Sequence, residues 1–178
     1  MLTKTQLIEL LKDRILILDG AMGTEIQGYN LSEADFKGEE YKNWNYELKG
    51  NNDILSITKP KLIKEIHANF INAGADIIET NTFNSNATSQ SDYGLENIAY
   101  ELNFQGAKIA KETAIESSKK VLVAGVLGPT NRTASLSPDV EDPSARNISF
   151  DELKEDYKRC IDGLIDGGSD ILMIETIF

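Results

Sequence analysis

NAGADIIETNT, residues 72–82, returns at residues 166–176 as DGGSDILMIET. Each copy passes from the end of a helical pattern through Gly and Asp into a short apolar run, and each run ends on polar residues. Setting Asp76 against Asp170 places Asn81 opposite Glu175 and Thr82 opposite Thr176. A tight turn from helix to apolar strand, used twice, points to a parallel sheet covered by helices. It also puts polar groups at matching depth on two strand tips.

The same pattern extends along the chain. Apolar runs predict strands over 15–19 (ILILD), 53–57 (DILSI), 75–81, 121–128 and 170–176. Between them, Thr3 with Gln6 marks a capped helix start, and Thr58 with Pro60 opens a helix with Leu62, Ile63, Ile66 and Phe70 on one face. A long helix is predicted over roughly 94–117, and Ser149 with Glu152 caps another that runs to Asp166. Links from helix to strand are tight. Links from strand to helix, about 20–52, 82–93 and 129–148, are long. Long links of this kind are usually functional, and they leave the C-terminal ends of the strands, where parallel α/β folds bind ligands. Asp19, Asn81 and Glu175 fall at that end.

Bulk composition narrows the function. The 178 residues, 40% of them hydrophobic, suit one domain or part of one, and a net charge of −11 argues against nucleic acid as a partner. No apolar run is long enough to span a membrane, and the first fourteen residues carry no signal-peptide pattern. One cysteine, Cys160, rules out an internal disulfide and fits a cytoplasmic protein.

The turn after the first predicted strand, Gly20-Ala21-Met22-Gly23, is neither a dinucleotide fingerprint nor a P-loop, and no basic residue lies in it to hold phosphate. An amino-acid ligand suits the residues better. Asp19, Asn81 and Glu175 can accept from an ammonium, and the backbone N–H groups of Gly20 to Gly23 can donate to a carboxylate.

DGAMGTEIQ, DFKGEEYKNW, GNNDILSITKP, IHANFINAGADIIETNTFN, DYGLENIAYELN, GVLGPTNRTASLSP and GGSDILMIETIF together resemble the homocysteine-binding domain of cobalamin-dependent methionine synthases, from Ile15 to Phe178. The resemblance implies an α/β fold of the (β/α)₈ TIM-barrel family. Residues 1–178 would form its N-terminal part, an incomplete barrel of about five parallel strands. It implies homocysteine at the barrel mouth, with Asp19, Gly20, Ala21, Met22, Asn81 and Glu175 as substrate-binding residues. In such enzymes a zinc ion on three cysteines holds the thiol as thiolate, which attacks the methyl group of methylcobalamin on another module. The cobalamin- and folate-binding modules are therefore the implied partners of a longer parent protein. The wider family of homocysteine S-methyltransferases, with other methyl donors, and a non-catalytic small-molecule-binding module are the alternatives.

The chain departs from that pattern at the metal. The family's cysteines belong at the sixth strand and in a Gly-Gly-Cys-Cys-Gly block near the eighth, and neither is present. No catalytic residue, no metal ligand and no bound cofactor are expected in this chain, which alone should be inactive. Cys160 reads as a small buried apolar residue and His67 as a helix-surface residue. Glu79 reads as a member of an internal network. Phe36, Tyr41, Trp44 and Tyr46 suit either a lid or packing on the rim. Arg132 and Arg146 are expected to tie down the loop after the fourth predicted strand. An incomplete barrel leaves two apolar sheet edges, so self-association through the open side is expected.

Overall fold

The structure, a computed structural model, describes residues 3–177. Its centre is a parallel sheet in the order β1 (Ile77–Glu79), β2 (Leu122–Leu127), β3 (Ile171–Ile174). Ile78 lies beside Val123, Glu79 beside Ala124, and Ala124 beside Ile171. Side chains alternate across a sheet. Ile78 and Val123 therefore meet the helices, packed with Ile71, Ala110 and Ala114, while Glu79, Ala124 and Val126 face the other way.

Three helices cover the outer face: α5 (Pro60–Ala73), α7 (Ala99–Glu116) and α8 (Phe150–Asp166). Their starts follow sequence rules. Pro60 occupies the first turn of α5, where its missing N–H costs nothing. Ser149 and Glu152 form a reciprocal capping box on α8, as Thr3 and Gln6 do on α1 (Lys4–Asp13). α7 and α8 cross closely because of Gly163: a Cβ there would lie 2.6 Å from the carbonyl oxygen of Tyr100. The largest apolar cluster joins Ile54, Leu55, Ile63, Ile66 and Leu102, all without solvent exposure. Truncating one of them, Ile66→Ala for example, should cost about 2–5 kcal/mol.

Two of the five predicted strands are not strands. DILSI is helical: a 3₁₀ turn over Asn52–Ile54 runs into the single turn α4 (Leu55–Thr58). A short buried apolar run has no periodicity that separates the two states. Here Ile54 and Leu55 are adjacent and both buried in the same cluster, which a strand's alternation would not allow. The ILILD segment runs beside β1 but pairs with it only at Leu18, opposite Ile77. The Asp76 carboxylate takes over the next contacts, accepting the Ile17 N–H at 2.9 Å and a two-pronged contact from Arg14. Ile15 and Ile17, expected to be buried, are exposed.

The predicted long loops also carry structure. The 20–52 excursion contains α2 (Met22–Gly28) and α3 (Glu33–Lys37), and the link after β1 contains α6 (Ala87–Gln90). The long helix begins at Ala99 rather than 94, after a 3₁₀ turn over Glu96–Ile98. None of the described helices is long and apolar enough to cross a membrane.

Candidate binding site at the strand tips

The C-terminal ends of the strands enclose a cavity of about 290 Å³. The turn after the first predicted strand forms one wall, through Gly20, Ala21, Met22 and Gly23. The tip of β1 supplies Glu79 and Asn81, and the residue after β3 supplies Glu175. Five of the six predicted substrate-binding residues thus border one space. The sixth, Asp19, does not border it, although its neighbour Gly20 does.

The residues around this space carry both donors and acceptors. The N–H groups of Gly20, Ala21, Met22 and Gly23 have no hydrogen-bond partner among the described residues, because α2 begins at Met22 and its first turn has no preceding carbonyls to bond. Gly20 permits the tight turn, since a Cβ there would press on the Phe70 ring at 3.1 Å. Glu79, Asn81 and Glu175 add side-chain acceptors, and no lysine or arginine borders the cavity.

Three carboxyl groups sit near one another. Asp19 accepts the backbone N–H of Glu79 at 3.0 Å. Burial pushes its acid up to about 6, against the opposing effect of that bond. Burial first, and then the charges of Asp19 and Glu175, push Glu79 up to about 7. Glu79, read from sequence as a member of an internal network, borders the cavity, and it is its backbone N–H rather than its carboxyl that bonds Asp19. Asn81 is buried, and its amide N–H₂ donates to the Asn52 carbonyl at 2.8 Å and the Ser56 hydroxyl at 3.2 Å. Its Oδ1 makes no hydrogen bond among the described residues, so Asn81 both holds the neighbouring segment and keeps a free acceptor.

Sequence reasoning missed Asn52 and Asp53, which also border the cavity. A strand over 53–57 would put Asp53 at its N-terminal end, away from the face where parallel α/β folds bind ligands. The residues of this segment form a buried polar seam with the link after β1. Asn51 and Gln90 exchange amide hydrogen bonds at 2.8 and 3.2 Å. Asp53 Oδ1 accepts from the Asn84 N–H at 2.9 Å and the Ser85 hydroxyl at 2.7 Å. The only sequence signal for this was the cluster Asn51-Asn52-Asp53 ahead of an apolar run, a pattern typical of turns and helix starts.

The family model for homocysteine S-methyltransferase matches residues 16–178. The chain belongs to the homocysteine S-methyltransferase family. A crystal structure of the homocysteine methyltransferase MmuM from Escherichia coli in its metallated form aligns with TM-score 0.67 and 24% identity, over 95% of this chain and 56% of that one. The oxidized form aligns with TM-score 0.63 and 23% identity, over 89% and 51%. At these identities the likeness bears on the fold. The chain spans about half the length of these solved homocysteine methyltransferases.

The donor set of this family member does not fit a three-thiolate zinc site. Among the described residues no group of three His, Cys, Asp or Glu side chains is placed to hold a metal ion. Cys160 is buried against Ala107, Leu127 and Leu164, as a small apolar residue would be, and burial pushes its thiol up to about 12. His67 is not on the helix surface as expected. It is fully buried, and burial lowers its pKa to about 4. The α5 face carrying Ile63 and Ile66 also carries position 67, because the apolar stripe on this helix is wider than the sequence pattern suggested.

The aromatic residues pack rather than cover the cavity. Phe36 is buried in the main cluster with Tyr41 and Trp44 against it, and the Trp44 indole donates to the Tyr93 carbonyl at 2.9 Å. Tyr46 lies against Gly94. Arg146 ties the loop after β2, donating to the carbonyls of Ala134, Pro143 and Ala145. The Arg132 carbonyl accepts from the Thr130 hydroxyl in the same loop.

Proposed function

We propose that this chain is the homocysteine-binding portion of a methionine synthase, and that the parent protein transfers a methyl group from methylcobalamin to homocysteine. The observation that carries the reading is that one cavity is bordered both by free backbone donors, at Gly20 to Gly23, and by carboxylate and amide acceptors, at Glu79, Glu175 and Asn81. A zwitterionic amino acid needs that arrangement. Its carboxylate meets the N–H groups of Gly20 to Gly23. Its ammonium meets Glu175 and Asn81 Oδ1, and Asp19 adds negative charge close behind.

The side chain of the amino acid then points away from these groups, toward the rest of the parent barrel. In the reaction the thiolate sulfur forms a new bond to the methyl carbon, and the donor leaves with the electron pair of the bond that breaks. A free thiol with a pKa of about 8.5 is mostly protonated at neutral pH. In this reading the zinc of the family, which would hold the thiol as thiolate, and the cobalamin belong to other parts of the parent protein. Family membership supports homocysteine as the methyl acceptor. The choice of cobalamin over another donor rests on the long sequence blocks, DYGLENIAYELN and GVLGPTNRTASLSP among them.

Calorimetric titration of the chain with L-homocysteine and with 4-mercaptobutanoate, which lacks the amino group, tests the pocket. L-Homocysteine should bind at least tenfold more tightly. Equal binding would contradict an ammonium subsite.

A further inference from the structure

Asp53 is held at only 4% exposure, yet it borders the cavity. Its two oxygens have different tasks. Oδ1 takes both bonds of the seam, from the Asn84 N–H and the Ser85 hydroxyl. Oδ2 accepts from no other residue among those described. A carboxylate oxygen that borders a cavity and is left without a donor from the protein has lone pairs to offer a ligand. Asn81, at 6% exposure, repeats the arrangement: its amide nitrogen is spent on Asn52 and Ser56, and its oxygen is left over. Both residues are nearly buried, both border the same space, and each has one oxygen that accepts from no other residue among those described.

We propose that Asp53 Oδ2 is a ligand-facing acceptor, which with Asn81 Oδ1 receives the ammonium of the amino-acid ligand on the side of the cavity formed by the 51–56 segment. This rests on the amino-acid reading of the cavity. Glu175 supplies the acceptor from the β3 tip, and Asp53 supplies one from the seam. An ammonium has three donors, and Glu175, Asn81 and Asp53 give one acceptor to each. The seam bonds on Oδ1 fix the carboxylate plane, so Oδ2 is aimed before the ligand arrives. Ligands without a cationic nitrogen gain nothing from it, and the absence of lysine or arginine around the cavity leaves no internal cation to compete.

Asp53→Asn separates the clip from the ligand contact. The amide keeps Oδ1 for Asn84 and Ser85 but turns the Oδ2 acceptor into a donor. Ser85→Ala does the reverse, removing one seam bond and leaving Oδ2. Both variants of the full chain are compared by thermal melting and by calorimetric titration with L-homocysteine. Asp53→Asn should melt with the parent chain and bind at least tenfold more weakly. Ser85→Ala should melt earlier and bind within threefold. Asp53→Asn binding within twofold of the parent chain would overturn the proposal and leave Asp53 as a clip alone. A folded parent chain that does not bind L-homocysteine would instead refute the amino-acid reading itself. If Asp53→Asn does not fold, carbon-13 NMR of the Asp53 carboxyl in the parent chain reads the same contact. A shift on adding L-homocysteine supports it, and no shift while the ligand binds overturns it.

Discussion

The carboxylate of Asp19 accepts the backbone N–H of Glu79 at 3.0 Å, tying the first strand-like segment to the tip of β1 and bringing a second acid close behind the cavity wall that Glu79 borders. The price of that closeness is carried by Glu79, whose acid is pushed up to about 7 by burial and by the charges of Asp19 and Glu175. Asp19 and Asp53 are each pushed up to about 6. A carboxyl group with a raised folded pKa favours the fold while protonated. Its contribution is complete below its unfolded value, near 4, and is lost as pH rises through the folded value.

Stability should therefore fall between about pH 4.5 and pH 7 on account of Glu79. His67 acts with the opposite sign. Its folded pKa is lowered from 6.5 to about 4, so the unfolded chain takes up a proton first, and stability is lost as pH falls through that window. Above pH 6.5 the carboxyl groups act alone. Glu79→Gln should flatten the decline between pH 6 and pH 8. Discounted for solvent at the cavity mouth, it should add on the order of 1 kcal/mol at pH 8, or about 2–4 °C in melting temperature. Melting curves at pH 5, 6.5 and 8 check this. A variant that melts below the parent chain at pH 8 would show that Glu79 stabilises the fold as an anion.

Much of this arrangement could be read from the residues, and the losses have physical causes. The repeat around Asp76 and Asp170 located β1 and β3, and with them Asn81 and Glu175, because a tight Gly-containing turn into an apolar run is a local signal. Capping boxes at Thr3 and Ser149 located helix starts for the same reason. DILSI reads as a strand although it is helical, because five residues are too few for either period to register and burial on all sides erases the pattern. Asp53 was lost with it. The burial of His67 was invisible because it depends on α4 and α7 closing over α5. The exposure of Ile15 and Ile17 depends on which neighbours the first segment has, which no local pattern records.

Metal content gives a second expectation. The buried Cys160 thiol, held at about 12, and the buried His67 cannot assemble a thiolate site. The purified chain, dialysed against a weak chelator, should hold well under one zinc per molecule by elemental analysis. One tightly held zinc per chain would mean that these side chains rearrange to bind it.

The sheet of this polypeptide presents apolar surface at both sides. Leu18, which bridges to Ile77 of β1, is 41% exposed, and Ile174 is 70% exposed on β3. Edges of this kind, without lysine or proline on them, template pairing with another strand. At micromolar concentration the 178-residue chain alone should self-associate, with dimerisation the simplest closed form. Light scattering that finds a monomer of 19.7 kDa, with no binding of a hydrophobic dye, would show that the edges are covered in solution.

The central claim is that the strand-tip acids read the ammonium of an amino acid. The most direct measurement is calorimetric titration of L-homocysteine into the parent chain, Asp19→Asn and Glu175→Gln at one pH above 7. A hydrogen bond to a charged group is worth roughly 1.5–3 kcal/mol, so Glu175→Gln should weaken binding on the order of ten- to a hundredfold. Asp19→Asn, which acts from behind the cavity wall, should weaken it in the same direction. Unchanged affinity in both variants would contradict the account.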